Sequence, residues 1–486
     1  MLNVWNLVLC VLGAVHSATG WTCDPTSNTG TDDDTSILQK LLDDPSCSEI
    51  ALRRGQTFFV STLFIRRSDF TLTIDGRLAG LPASFRRLRP DCTMEDGLEF
   101  AWTHWCAMLQ VQAVRNVTLR GSGTVAPGGV GGTTPDFYSA LHVQSTVGVT
   151  LAGLQVTCTA WWWCTVLHNV SQLHVSRLFV DGSTGRDGMD LVNCRHVLIE
   201  DSRIEGSDDA LCFKTIKNGG LSAFASYNVS VRRCSVGSTW CNAVQFGSAS
   251  EVAMSDFRFE SLNVTSARKA GLSIVSMDGA NIRRVAFSNV VIASPEVATP
   301  LYVKLGNRAA CEDGKGSCWL PGSISDVNLT NISAVGWGHV SHPKPGHARS
   351  YTATIEGLNA THRVGPVRID GLHLITPGGG TADDARVDPP ISPLDYQPRY
   401  DGTRPASGLF IRYSRAVAIA RSSVAVVDAA SEGRPAVVID HAVSVDVIGL
   451  QVLRGGVPCQ IEARNCTGCE LGGHARSCAW TPDLVG

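Results

Sequence analysis

The sequence predicts an all-β chain, a single right-handed parallel β-helix with a Cys-rich C-terminal cap. Two observations carry this reading: an eight-residue pattern, VxVxxLxV, recurs along the chain, and the composition suits a stack of half-buried coils. Only 17% of the 486 residues are charged and 48 are Gly, against about a quarter charged in an ordinary soluble domain. Lys+Arg 41 nearly balances Asp+Glu 44, for a formal charge of −3. This balance excludes intrinsic disorder and a basic nucleic-acid binder.

At the N-terminus, MLNVWNLVLCVLGAVHSATG carries an apolar run from Leu7 to Val15, then small residues, with Ala18 and Gly20 suiting a cleavage site. Residues 1–20 read as a secretory signal peptide, with a buried N-terminal strand as the alternative because no Lys or Arg precedes the run. No later stretch reaches the roughly 18 apolar residues of a membrane span. The expectation is a secreted, extracellular monomer with no membrane or nucleic-acid partner. Cys10 falls in the leader and 16 Cys remain, an even number that an oxidising compartment can pair. Eight NxS/T sequons start at Asn116, Asn169, Asn228, Asn263, Asn328, Asn331, Asn359 and Asn465. They suit glycosylation, and several suit corner positions whether or not they carry glycan.

The pattern copies start at Val149, Leu173, Val197, Val229, Phe257, Val285, Val327, Val367, Val417 and Val445, with a weaker copy at Val117. Successive spacings are 24, 24, 32, 28, 28, 42, 40, 50 and 28. Alternating apolar residues, a polar or Gly bend, then a second alternating pair describe two short strands meeting at a corner. A coil of 24 residues or more built this way is the unit of a parallel β-helix. No copy carries a helical apolar stripe, which disfavours helical solenoids.

The longer spacings place loops after Leu305, including Cys311 and Cys318, and from Thr376 to Gly402. Insertions in a solenoid commonly wall its binding cleft. Residues 21–456 thus form one β-helix domain and 457–486 a cap holding Cys459, Cys466, Cys469 and Cys478. The Cys466/Cys469 CxxC reads as part of a disulfide staple rather than a zinc site, because no second CxxC accompanies it.

Asp187 lies 14 residues after Leu173, Asp208 and Asp209 lie 11 and 12 after Val197, and Asn242 lies 13 after Val229. Near-equal offsets put them at one angular position on successive coils, separated by roughly 4.8 Å per rung. Carboxylates that close raise one another's pKa, which suits acid/base hydrolysis of a glycosidic bond. The alternative is a ladder of solvated or turn-forming Asp residues. Trp161, Trp162 and Trp163 offer aromatic faces for sugar stacking, and strand alternation makes at least one of them core filler.

The segment GRDGMDLVNCRHVLIEDSRIEGSDDALCFKT, Gly185 to Thr215, resembles the core of the glycoside hydrolase family 28 enzymes, the polygalacturonase-like pectin-degrading β-helices, whose pattern is NTDGID, a strand, then GDDCIAIK. TGTDDDTSILQKLL from Thr29, the coil before Trp163, PLYVKLGNR from Pro300 and RPASGLFIRYSRAVAI from Arg404 extend the resemblance over nearly the whole chain beyond the leader. Carried over by position, it makes Asp208 the general acid, Asp187 and Asp209 the pair that activates water, and Asp190 structural. It implies inversion at the anomeric carbon, which needs acid and base about 6.5 to 9.5 Å apart. No metal or cofactor is implied, and the partner is a pectic or related acidic polysaccharide.

Three departures stand beside these matches. NTD has become Gly185, Arg186, Asp187; the family's GHG corresponds to Cys241, Asn242, Ala243; and its RIK element corresponds to Ser273, Ile274, Val275. An amide cannot change charge near neutral pH as His can, and the clamp for a uronate carboxylate is lost from its usual place. Lys214, Lys304 and Arg308 are candidate replacements, with solvated surface cations as the alternative. With Asn242 and Trp163 they complete the expected substrate-binding set. The remaining alternatives are a non-catalytic carbohydrate-binding β-helix and a Ca²⁺-dependent polysaccharide lyase.

Overall fold

The computed structural model describes residues 21–25, 33–81, 106–127, 138–158, 163–217, 224–308, 320–338, 352–398, 401–453, 461–472 and 477–479. The expected signal peptide at 1–20, Trp161, Trp162, Cys311, Cys318, Cys459 and the Cys478 side chain lie outside the described residues. Strand pairing is parallel from Trp21–Cys23 to Ser477–Ala479, and the chain winds as a right-handed parallel β-helix.

The ten copies of the pattern stack residue upon residue. Val149, Leu173, Val197, Val229, Phe257, Val285, Val327, Val367, Val417 and Val445 are register partners in turn. Val117 falls directly below Val149. The fifth position of every copy, from Gly153 and Arg177 to Arg421 and Gly449, has φ between 46° and 79°. A single left-handed residue therefore turns the chain between the two strands of each coil. For residues other than Gly that conformation costs roughly 1–2 kcal/mol each, which the register pairing on both sides offsets. Of the sequon residues, Asn331 sits at this corner, and Asn116, Asn169, Asn228 and Asn465 are left-handed elsewhere in the coils, all five with φ of 48° to 55°.

The side chains of alternate residues point inward and form one continuous core. Phe213, Phe246, Phe257, Phe259 and Phe287 make an aromatic ladder inside it, with Phe259 and Phe287 stacked at 4.3 Å. Helix α1 (Thr35–Asp43) closes the N-terminal end, burying Leu38 and Leu42 one turn apart against Ile50, Leu52 and Leu63. Cys23–Cys47 and Cys158–Cys164 are disulfides, and Cys466 pairs with Cys469. Cys194, Cys212, Cys234 and Cys241 are buried thiols, so among the described residues the pairing that the even Cys count allowed is partial. The ladder also runs on past residue 456, through Ile461–Arg464 into Ser477–Ala479.

A third parallel sheet includes Thr165–His168, Met189–Val192, Leu211–Thr215 and Val244–Ser250. Met189, Leu191, Leu211, Phe213, Val244 and Phe246 face the core. By the alternation of a strand, Asp190, Cys212, Lys214 and Gln245 face outward. The chain enters this sheet from short turns, and the acidic residues sit in those turns.

Candidate active site

Met189 is the register partner of Leu211, and Leu211 of Val244. Two residues upstream, Asp187, Asp209 and Asn242 therefore form one column. The turns absorb the small differences in their sequence offsets. The Asp209 amide N–H donates to Asp187 Oδ1 at 3.3 Å, and the Asn242 amide N–H and Nδ2 donate to Asp209 Oδ1 at 3.1 and 2.8 Å. Asn242 Oδ1 accepts from the Ala270 amide at 3.0 Å. Gly206 makes the turn possible, since a Cβ there would lie 2.4 Å from the Asp209 carbonyl oxygen.

Asp208 projects beside this column and is the most solvent-open carboxylate of the cluster, with its side chain 27% exposed. Arg186 Nη2 lies 3.0 Å from Asp208 Oδ2 and Lys269 Nζ lies 3.9 Å from Oδ1. Burial acts to raise the Asp208 carboxyl, but Lys269, Cys241 and Arg186 together hold it below its usual range. Asp209 behaves oppositely. Burial, then the charges of Asp208 and Asp187, push its carboxyl up to about 7. Asp209 is thus biased toward its protonated form and its neighbour Asp208 toward its ionised form.

Lys214 is buried beneath the cluster. Its Nζ donates to Asp187 Oδ2 at 2.8 Å and to Asp190, and lies 3.0 Å from Cys212 Sγ. Burial opposes its charge, yet Asp187 and Asp190 raise the ammonium well above the ordinary lysine range. The Asp190 carboxyl is itself raised well above normal by burial and then by Asp187. Asp187, Asp190 and Cys212 have metal-ligand spacing, but the Lys214 ammonium already stands among all three. Asp208, Asp209 and Cys241 form a second such group, faced by Arg186 and Lys269.

The remaining sequence candidates divide. The Trp163 ring lies 3.9 Å from Lys214 Nζ, next to Asp187. Asn242 is buried and supports Asp209 rather than facing the groove. Lys304 is almost wholly buried and bonded to Asp401 at 2.5 Å, so its cation is committed within the protein. Arg308 grips Asp278 with Nε and Nη2 at 3.0 and 2.7 Å.

Three residues that were not site candidates in the sequence belong to the site. Arg186 and Lys269 flank Asp208. Trp240, 62% exposed, follows the same turn, its amide donating to Ser207 O at 2.8 Å, and the Arg268 guanidinium lies 4.7 Å over its ring. Its position directly before the CNA segment was the available signal.

The chain is similar to the structure of the Yersinia enterocolitica family 28 exopolygalacturonase, at 15% identity over 92% of this chain and 78% of that one, with a TM-score of 0.53. It is also similar to the hyperthermoactive exopolygalacturonase from Thermotoga maritima, at 14% identity, 88% and 92% coverage and TM-score 0.49. The polygalacturonase from Erwinia carotovora gives 14% identity, 90% and 96% coverage and TM-score 0.47. No family model and no curated protein sequence matches. The chain has the parallel β-helix fold of the Yersinia family 28 exopolygalacturonase, and its Asp187, Asp209 and Asn242 column lies in the turns that lead into the third sheet.

Proposed function

We propose that the protein is a secreted glycoside hydrolase acting on a pectic or related acidic polysaccharide through Asp187, Asp208 and Asp209. The observation that carries this is the arrangement of Asp187 and Asp209 in one column with the more exposed Asp208 beside them, flanked by Arg186 and Lys269, surroundings that push the two adjacent carboxyls in opposite directions. Such a pair, in an outward-facing groove, is the equipment of acid/base glycoside hydrolysis.

The resemblance gives the acid role to Asp208, whereas at rest the bias toward the protonated form lies with Asp209. A uronate carboxylate in the groove reconciles the two. By taking Arg186 and Lys269 as its partners it removes the counter-charge from Asp208 and adds a like charge beside it, and both changes raise the Asp208 pKa. The proton then passes from Asp209 to Asp208, whose ligand atoms with Cys241 lie within 4.8 Å of one another. Asp208 donates it to the leaving oxygen. Ionised Asp209 and Asp187, the latter held by Lys214, deprotonate the attacking water; the carboxyl oxygens of Asp208 and Asp209 that lie within 4.8 Å of each other are closer than the roughly 6.5 to 9.5 Å expected of an inverting pair. Trp240 and Trp163 supply the faces on which sugar rings stack.

A binding-only role is the second reading, favoured by the ion pair that holds Asp208. Release of reducing ends from pectic polymers by the secreted protein, and loss of that release in Asp208→Asn, supports hydrolysis. Polysaccharide binding without turnover across neutral and acidic substrates supports binding alone.

A further inference from the structure

The outward columns of the third sheet that carry Asp190, Cys212 and Lys214 continue through Gln245 and Ser273 to Tyr302 and Lys304, then Thr354 and Glu356. The site lies on the early coils. From Tyr302 onward a strap made of residues 376–398 and 401–404 lies on the same face.

The strap is pinned by buried polar contacts. Asp401, fully buried, bonds Tyr302 Oη, Lys304 Nζ at 2.5 Å and Arg404 Nη2 at 2.7 Å. Arg412, also buried, reaches the Pro389 carbonyl and Asp388 at 2.6 Å each. The Asn307 amide donates to Pro393 O at 2.8 Å. Burying this many charges is unfavourable unless each keeps its partner, so the strap is held at a defined height over the sheet.

Tyr396 projects from it toward the site. The side chain packs on the cluster of Ala270, Val275, Met277 and Tyr302. Its ring centre lies 5.8 Å from Lys269 Nζ and 5.6 Å from Arg308 Cζ, and that same Lys269 Nζ is 3.9 Å from Asp208 Oδ1. Tyr302 is three coils beyond Asp208, roughly 14 Å at the interstrand spacing. A polysaccharide laid along the solenoid axis across Asp208 meets Tyr396 after a short oligosaccharide stub.

We propose that this strap, through Tyr396, closes the groove on its C-terminal side and makes the site a receptor for the end of a polysaccharide chain. On the hydrolase reading above, the enzyme then trims chain ends and releases mono- to trisaccharides. Lys269, 5.8 Å from the Tyr396 ring centre, is the cation that meets an acidic terminal sugar, while Arg308 stays engaged with Asp278.

The test uses the secreted Asp208→Asn protein and uronate oligosaccharides of increasing length, with binding stoichiometry read by calorimetry. One protein per chain at every length is expected, rising with length when Tyr396→Ala is added or when Pro389–Pro398 is replaced by a short Gly/Ser loop. The single substitution keeps the test informative where the shortened strap misfolds. Several proteins per long chain with the strap intact, stoichiometry unchanged in both strap variants, or no binding to any oligosaccharide overturns the proposal. In the otherwise unaltered protein, reducing ends should accumulate with little loss of polymer viscosity, and early collapse of viscosity also overturns it. End-stoichiometric binding without any turnover leaves the strap's role intact and defeats only the hydrolase reading.

Discussion

Arg186 holds Asp208 at 3.0 Å from the coil below, in the place where the resembled family's pattern has Thr. The ion pair keeps the exposed carboxylate of the site charged. Removing it should change pH dependence in a calculable direction. In Arg186→Met the Asp208 pKa rises, so the protonated acid persists to higher pH and the alkaline limb of kcat/KM moves upward. KM for an acidic substrate should rise as well. A pH profile of kcat/KM for both proteins checks this, and an unchanged alkaline limb contradicts the charge-exchange scheme.

Lys214 neutralises Asp187 and Asp190 from below, with its side chain 9% exposed. Lys214→Met leaves two buried carboxyls without their cation. Breaking a buried pair in this way costs about 3–5 kcal/mol, seen as a lower denaturation midpoint with little change in slope. The variant should also lose turnover, because Asp187 loses the ammonium that positions it at 2.8 Å. Retained stability would mean that the ammonium is not the counter-ion assigned here.

His142 and His168 are buried on the third sheet, and burial pushes their pKa values down to about 3 and about 4. Both are neutral in the fold, whereas the unfolded chain protonates them below about 6.5. Their contribution to stability is therefore complete above pH 6.5 and is lost as pH falls toward 4, by up to about 1.4 kcal/mol per pH unit for each. Asp209 runs the other way: its folded pKa of about 7 is raised, so its contribution is present at low pH and lost as pH rises to 7. The His168→Met variant should therefore show a shallower fall in Tm between pH 6.5 and 4 than the unsubstituted protein. Parallel Tm curves contradict the buried neutral state of His168.

The coil architecture was legible because each copy of the pattern carries its own bend. Arg177, Asp201 and Asn289 occupy the same left-handed corner as Gly153 and Gly449, so the apolar spacing, not glycine alone, marks the turn. The column Asp187, Asp209, Asn242 was legible from offsets within the copies. Asp208 was equally visible, but its charge state was not, because that depends on Arg186 22 residues before it and Lys269 far along the chain. Lys304 and Arg308 looked like spare cations in sequence, yet Asp401 and Asp278 engage them across 97 and 30 residues. Helix α1 is only nine residues long, too short to stand out beside repeats of 24 residues and more. The strap was recognisable as an insertion, while its burial against Tyr302 depends on partners distant in sequence.

The central claim is that Asp208 delivers a proton to a glycosidic oxygen. The most direct measurement is the rate of reducing-end release from pectic polysaccharides by the secreted protein and by Asp208→Asn, compared at the optimum pH of the unsubstituted protein. Measurable turnover should fall by about 10²- to 10⁴-fold in Asp208→Asn, the range for losing a general acid, with oligosaccharide binding retained. Full turnover in Asp208→Asn would contradict it.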